Sequence, residues 1–290
     1  MSHTVQKPNP PFLALDGAIE VHQVPAATDN LCWILVCTAT REAAVIDGPS
    51  AKEVLAYLEG RDIRWTTILN THTHGDHVGI NADLQKRGML ESFVVVGPEA
   101  VRSAVPGITR GVGEGDVVQI GSATGTVWVT EGHLNGHVSY LFGDVLFCGD
   151  TLFTGGCGYL FDGPPTLMFE SLMRLSSLSD DTKICCAHEY TQDNLRFAWM
   201  VEPGNSALQE RIRRVWQIRE DGGCAVPSTM GEERATNPFL RPGSPAIQHQ
   251  LAQVMSDHPQ DSFADIFAAT RAWKDQKPHR AVSDETLLSQ

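Results

Sequence analysis

The chain has 290 residues, 42% of them hydrophobic and 20% charged, enough to bury a core and to divide into about two domains. Its formal net charge of −13 argues against a nucleic-acid or acidic-membrane surface, because gripping phosphates takes a basic face. Seven cysteines, none in a C-x-x-C pair, fit free buried thiols better than a disulfide framework. No stretch reads as a signal core or approaches membrane-spanning length, so a cytoplasmic protein is expected.

Residues 1–11 are polar and proline-rich and read as a loose arm. Strands are expected at 19–24, 31–36 and 43–46. Asp47 ends the last of these, placed either to orient a ligand or simply to form the turn before Gly48-Pro49. Ser50 to Glu53 reads as a capping box and Gly60 as a terminator, which predicts a helix between them. Residues 65–70 are apolar and β-branched and predict a buried strand. It runs into Thr71-His72-Thr73-His74-Gly75-Asp76-His77, followed by a helix expected over 80–90.

That stretch places three imidazoles and a carboxylate within six residues, a donor set for zinc, iron or manganese. In an extended run His72 and His74 point the same way, whereas Asp76 and His77, where the chain turns into the helix, aim elsewhere. The spacing therefore suggests two metals.

Further strands are expected at 93–96, 117–120, 126–130, 139–142 and 145–148, the last two joined by the Gly143-Asp144 turn. The strand at 126–130 leads into His133 and His137, the hairpin delivers Asp150, and a strand at 183–187 delivers His188. Beyond Glu189 the pattern turns helical. An amphipathic run covers 192–201, and Ser206 to Gln209 reads as a second capping box, opening a helix with Leu208, Ile212, Val215 and Trp216 on one face. A Pro- and Gly-rich passage spans 226–245, and Ser262 caps a last helix with Phe263, Ile266 and Phe267 towards the core. Residues 1–188 read as a mixed β/α domain and 189–290 as a helical one.

Collected at strand ends, His72, His74, Asp76, His77, His133, Asp150 and His188 are too many donors for one tetrahedral site but suit two ions sharing a carboxylate. The expected division is His72, His74 and His133 on one ion, Asp76, His77 and His188 on the other, and Asp150 on both. The ions would lie ~3.5–4 Å apart with a shared hydroxide. Asp76 and Asp150 are thus the candidate catalytic carboxylates. The residues alone leave His137 a rival to His133.

The pattern T-H-x-H-x-D-H, with a later His, an Asp in Gly149-Asp150-Thr151-Leu152-Phe153 and a His ending a strand, resembles the metallo-β-lactamase superfamily. Within it, Gly156-Cys157-Gly158, Ala187-His188-Glu189-Tyr190-Thr191, Val201-Glu202-Pro203-Gly204-Asn205, Pro227-Ser228-Thr229 and Asn237-Pro238-Phe239 resemble glyoxalase II, the hydroxyacylglutathione hydrolases, over nearly the whole chain. The resemblance implies an α+β fold, an αββα sandwich with a C-terminal helical domain. It makes His133 rather than His137 the ligand, and supports the bridging role of Asp150. It also implies hydrolysis of S-D-lactoylglutathione, with Tyr190, Arg271 and Lys274 binding the thiol carrier.

One departure stands out. Tyr159 and Phe161 occupy places where that family commonly has a lysine and a tyrosine, which predicts weaker binding of a glutathione carboxylate or a different thiol carrier. A one-iron persulfide dioxygenase is the rival enzyme expected from the same superfamily. A lactamase or lactonase fits the motif alone.

Overall fold

In the computed structural model, which describes residues 3–284 and Leu287, seven strands form a first sheet in chain order. They are β1 (Phe12–Ala14), β2 (Ile19–Ala26), β3 (Asn30–Cys37), β4 (Glu42–Ile46), β5 (Arg64–Leu69), β6 (Val94–Pro98) and β7 (Arg110–Val112). The first four run antiparallel and the remainder parallel. Parallel neighbours need crossovers, and these are supplied by α1 (Lys52–Leu58), by α2 (Gly75–Lys86) and, between β6 and β7, by a 3-10 segment at Glu99–Ala104.

The second sheet holds β8 (Val117–Ile120), β9 (Ala123–Val129), β10 (Val138–Phe142) and β11 (Val145–Gly149). After the small hairpin of β12 (Leu152–Phe153) and β13 (Gly156–Cys157), helix α3 (Pro165–Leu175) crosses over to β14 (Lys183–Cys186), which lies parallel to β11. Then come α4 (Thr191–Val201) and α5 (Ser206–Glu220). The two-residue strand β15 (Ser228–Thr229) pairs antiparallel with β14 and completes the sheet. The chain finishes with α6 (Met230–Thr236), α7 (Pro245–Val254) and α8 (Phe263–Asp275).

Strand β3 shows why the layers stack as they do. After Asn30 it is apolar to its end because both faces are covered. Leu31, Trp33 and Leu35 point into the core between the sheets, where they meet Tyr140, Phe142 and Phe147. Alternating with them, Cys32, Ile34 and Val36 point to the layer containing Val54 of α1 and Ile80 and Leu84 of α2. On the far side of the second sheet Met168, Leu172 and Leu175 of α3 and Ile266 and Phe267 of α8 close the core. Each such side chain contributes roughly 1.5–3 kcal/mol by leaving water. The result is an αββα sandwich with added C-terminal helices.

Local details differ from the sequence expectations. The arm at 1–11 is pinned in its described part: Gln6 and Lys7 donate backbone hydrogen bonds to Gly222, and the Asn9 amide donates to the carbonyls of Cys224 and Val226. Helix α2 begins at Gly75 and ends at Lys86, so His77 lies in its first turn. Ser50 bonds the Glu53 carboxylate and accepts only a long bond from the Lys52 amide at 3.4 Å, so no capping box forms and Ala51 is the N-cap of α1; the cap of α5 is Asn205, whose side chain accepts from the amide of Leu208. The Ser262–Asp265 box does form, but Phe263 is exposed while Ile266 and Phe267 are buried. Helices α3 and α7 and the short α6 had no sequence expectation, α6 lying inside the passage read only as Pro- and Gly-rich.

All seven cysteines are buried and unpaired. No helix among the described residues is long and apolar enough to cross a membrane.

Candidate metal centre

The loop between β5 and α2 is fixed by its own backbone. The Asn70 amide donates to Val96, its carbonyl accepts from the Tyr140 phenol at 2.7 Å, and the Thr71 carbonyl accepts from Val138 at 2.9 Å. Asn81 of α2 donates to the Asn70 side chain at 2.7 Å. With the loop so held, His72 lies inside, His74 becomes the N-cap of α2, and Asp76 and His77 stand in its first turn. His74 makes no side-chain cap because its ring is turned to the other histidines.

Two clusters of donor atoms result. In the first, His74 Nδ1 lies 3.2 Å from His72 Nε2 and 3.0 Å from His133 Nε2. Asp150 Oδ2 lies 4.0 and 3.5 Å from the same two nitrogens. In the second, Asp76 Oδ2 lies 3.8 Å from His77 Nε2 and 3.4 Å from His188 Nε2, with Asp150 Oδ1 at 3.4 and 3.5 Å. Donors around a tetrahedral cation bound at 2.0–2.1 Å stand ~3.3 Å apart. The spacings bracket that value.

The chemistry also fits. Among the described residues His77 Nε2 and Asp150 Oδ1 are buried with no hydrogen-bond partner, a costly state that a cation would relieve. Burial would push the Asp150 carboxyl up, but the imidazoles of His77 and His188 hold it well below the usual carboxylate range. Burial pushes His72 well down, leaving a neutral ring with a lone pair to give.

Three of the outer nitrogens are oriented by oxygen acceptors. His77 Nδ1 donates to Asp47 at 3.0 Å, His188 Nδ1 to Asp29 at 2.8 Å, and His133 Nδ1 to the Tyr159 carbonyl at 2.7 Å. Such partners set the tautomer and aim the other nitrogen inward. Asp47, His72 and His77 also gather donor atoms. The Asp47 oxygens, however, are taken by the Thr71 amide and hydroxyl and by His77. Of the two sequence readings of Asp47, orienting is the one its contacts fit.

His137 takes a different place. It is fully buried, its Nδ1 is within 3.2 Å of Thr130 and 3.1 Å of Thr151, and its Nε2 accepts from the backbone amide of Asp150. It supports the chain beneath Asp150. Gly158 packs so closely that a Cβ there would sit 2.0 Å from the Asp150 carbonyl oxygen and 3.0 Å from His133 Nδ1.

Sequence reasoning missed the tip of the β2–β3 hairpin. Asp29 holds His188, and Asn30 donates to Asp76 Oδ2 at 3.1 Å, so neighbouring turn residues steady two donors of the second cluster. In sequence they read as ordinary turn formers. Only the bridge between Asn30 and His188 brings them into place.

The remaining candidates surround the clusters. Tyr190 stacks on His188 at 4.8 Å with its phenol 3.3 Å from Asp29. Phe161 sets its ring edge against His74 and His133, at 5.0 and 5.3 Å. Tyr159 and Phe161 are half or more exposed, and both line a cavity of about 510 Å³ that Arg271 and Lys274 also line. The two cations are buried, with 6% and 8% exposure, so they are not a solvated helix end.

Two family models match adjoining parts of the chain: the metallo-beta-lactamase superfamily over residues 30–188 and the hydroxyacylglutathione hydrolase C-terminus over 189–277. A hydroxyacylglutathione hydrolase of Methylococcus capsulatus is 43% identical over 89% of this chain and 98% of its own length. One of Synechococcus sp. is 46% identical over 87% and 98%. Among solved structures, ETHE1 from Myxococcus xanthus superposes with a TM-score of 0.55 at 23% identity, covering 91% of this chain and 98% of its own. A metallo-beta-lactamase from Staphylococcus aureus gives 0.58 at 20%, covering 88% and 71%. At that identity the structural likenesses speak for the fold alone.

Proposed function

The chain belongs to the hydroxyacylglutathione hydrolase family, and from that premise we propose that it is a binuclear metal enzyme cleaving S-D-lactoylglutathione to D-lactate and glutathione. The observation that carries this reading is Asp150, each of whose carboxylate oxygens approaches a different cluster of donors. His72, His74 and His133 are assigned to one divalent ion, Asp76, His77 and His188 to the other, and Asp150 to both. The donor set suits zinc, iron or manganese.

Divalent cations bound there supply a water that ionises near neutral pH and positive charge beside the carbonyl oxygen as it becomes negative. The chain's own work is positional. Asp47, Asp29 and the Tyr159 carbonyl keep the imidazoles aimed, and the Phe161 ring covers the outer side of His74 and His133. Water, having given up a proton to the solvent, adds through its oxygen to the thioester carbonyl carbon, the C–S bond breaks, and the sulfur leaves with the electron pair. A thiolate whose conjugate acid has a pKa of about 8.5 leaves without a proton donor, so no general acid is required. In this reading residues 1–188 carry the chemistry, and residues 189–290, with Arg271, Lys274 and Tyr190, hold the thiol carrier. Seven unpaired thiols favour a reducing, cytoplasmic setting.

The deciding experiment is steady-state hydrolysis of S-D-lactoylglutathione with metals quantified in the same preparation. Turnover with about two ions per chain, lost in His74→Ala and Asp150→Ala, is expected. A single iron with oxygen uptake on glutathione persulfide would replace this reading with a dioxygenase.

A second reading, hydrolysis of another carrier's thioester, is favoured by one observation. Tyr159 and Phe161 present exposed aromatic surface where a carrier would lie. A low KM for lactoylglutathione that Tyr159→Lys leaves unimproved would count against it.

A further inference from the structure

The cavity beside the metal centre has two unlike walls. Tyr159 and Phe161 form one, their rings 4.8 Å apart. The other comes from α8 and the turn after it, and carries four cations, Arg271, Lys274, Lys277 and Arg280.

The inner pair is already engaged. The Arg271 guanidinium donates to Asp275 at 2.6 and 3.0 Å and to the Cys157 carbonyl at 3.2 Å. Lys274 donates to Asn194 and lies 5.8 Å from the rings of Phe197 and Phe239. The lining carboxylates are engaged as well, Asp275 by Arg271 and Asp193 by His279 at 3.0 Å. Four cations against these two carboxylates leave the cavity positive in a chain whose net charge is −13.

Lys277 and Arg280 are the outer pair. Both are exposed, and among the described residues neither side chain has a hydrogen-bond or ion-pair partner. They are nonetheless well positioned. Lys277 takes a left-handed backbone, Pro278 stiffens the turn, and the Arg280 amide donates back to the Lys277 carbonyl. Between them His279 is buried, bonded to Asp193 and set against Phe197. The turn is nailed to α4 through its middle residue while its two cations face out.

We propose that Lys277 and Arg280 form a carboxylate site at the outer end of this cavity, taking a terminal carboxylate of the thiol carrier while the aromatic wall packs its apolar stretch. Unpaired cations on a turn whose backbone is already fixed can hold a carboxylate with charge-assisted hydrogen bonds, the ordering cost being confined to their side chains. The proposal rests on the thioester-hydrolase reading for the identity of the carrier.

The test uses the full-length, metal-loaded protein and the double variant Lys277→Ala/Arg280→Ala. Two substrates are compared: S-D-lactoylglutathione, and S-lactoyl-N-acetylcysteamine, whose thiol part has no carboxylate. The expected result is a KM for lactoylglutathione raised about tenfold at low salt, with kcat little changed. The carboxylate-free thioester should be unaffected. Tyr159→Lys added to the double variant should restore part of the loss, because residue 159 lines the facing wall. An unchanged KM, or an equal rise for both thioesters, overturns the site. If the natural protein hydrolyses neither thioester, the thioester reading falls. Calorimetric binding of glutathione to the natural protein and the double variant then still decides the site, which is upheld by weaker binding in the variant and overturned by equal binding.

Discussion

Asp47 and His77 are thirty positions apart in the chain, yet an Asp47 oxygen lies 3.0 Å from His77 Nδ1, and the same carboxylate receives the amide and hydroxyl of Thr71. One side chain thereby fixes both the loop that presents His72 and the ring that faces Asp150. Asp47 adopts a positive φ of 53°, a conformation that asparagine also tolerates. Asp47→Asn should therefore keep the fold but weaken the ion at the second cluster by roughly 10–100-fold. Competition with a chromophoric chelator measures this. Two ions held as tightly as in the natural protein would refute the orienting role.

Gly158 tests how tightly the centre is packed. A methyl there meets the Asp150 carbonyl carbon and oxygen rather than a flexible side-chain end, so the backbone carrying the shared carboxylate must move. Gly158→Ala should lower kcat by about 100-fold or more, as ~1 Å displacements at reacting centres do. Gly113→Ala, where a Cβ meets nothing within 4 Å, is the control. Similar activities in the two variants would show that the site tolerates the shift.

The pH dependence of carrier binding should report Lys274. Burial, with the Arg271 charge beside it, pulls the Lys274 ammonium down to about 8. A lysine is charged below its pKa, so its attraction for a carboxylate is present below about pH 8 and fades above it. KM for lactoylglutathione should rise through that region, and Lys274→Arg, always charged, should remove the rise. If the arginine variant shows the same inflection, another group is responsible.

Stability in the helical half should hinge on Arg211. It is buried and donates to the fully buried Glu233, whose other oxygen accepts from the Gly155 amide and the Asn237 side chain, both at 2.9 Å. Arg211→Met leaves that carboxylate without its cation, which should cost about 3–5 kcal/mol. Urea denaturation reads the loss. A cost under about 1 kcal/mol, the size of an exposed pair, would mean that Glu233 finds another partner.

Much of the centre was readable because its donors sit in local motifs. His72, His74, Asp76 and His77 are neighbours in sequence, and His133, Asp150 and His188 follow readable strands, the last two of them continuous apolar runs. The separation of His133 from His137 was less so. Both are buried histidines on one loop, and what distinguishes them is that His137 faces Thr130, Thr151 and the Asp150 amide. Asp29 and Asn30 were invisible for a related reason: their partners lie far along the chain, and a turn uses the same residue types. Helix α6 escaped because seven residues beside prolines and glycines carry little periodicity. Its signal is the Thr229 cap, whose hydroxyl accepts from the Glu232 amide. The Phe263 misplacement has a simple cause. The first residue of a helix has half its surroundings outside it, so spacing from Ile266 does not dictate its neighbours.

Strand β15 is only two residues long, but it occupies the outer flank of β14, the strand that ends beside His188. A polypeptide stopping after residue 188 would have the candidate ligands yet present β14 as a bare hydrogen-bonding edge, the kind of surface that recruits other chains into aggregates. The two halves are consequently poor candidates for exchange as separate modules. Until residues 228–229 have been added, the β14 side of that sheet has no strand to pair with, so completing it depends on chain that follows every candidate ligand.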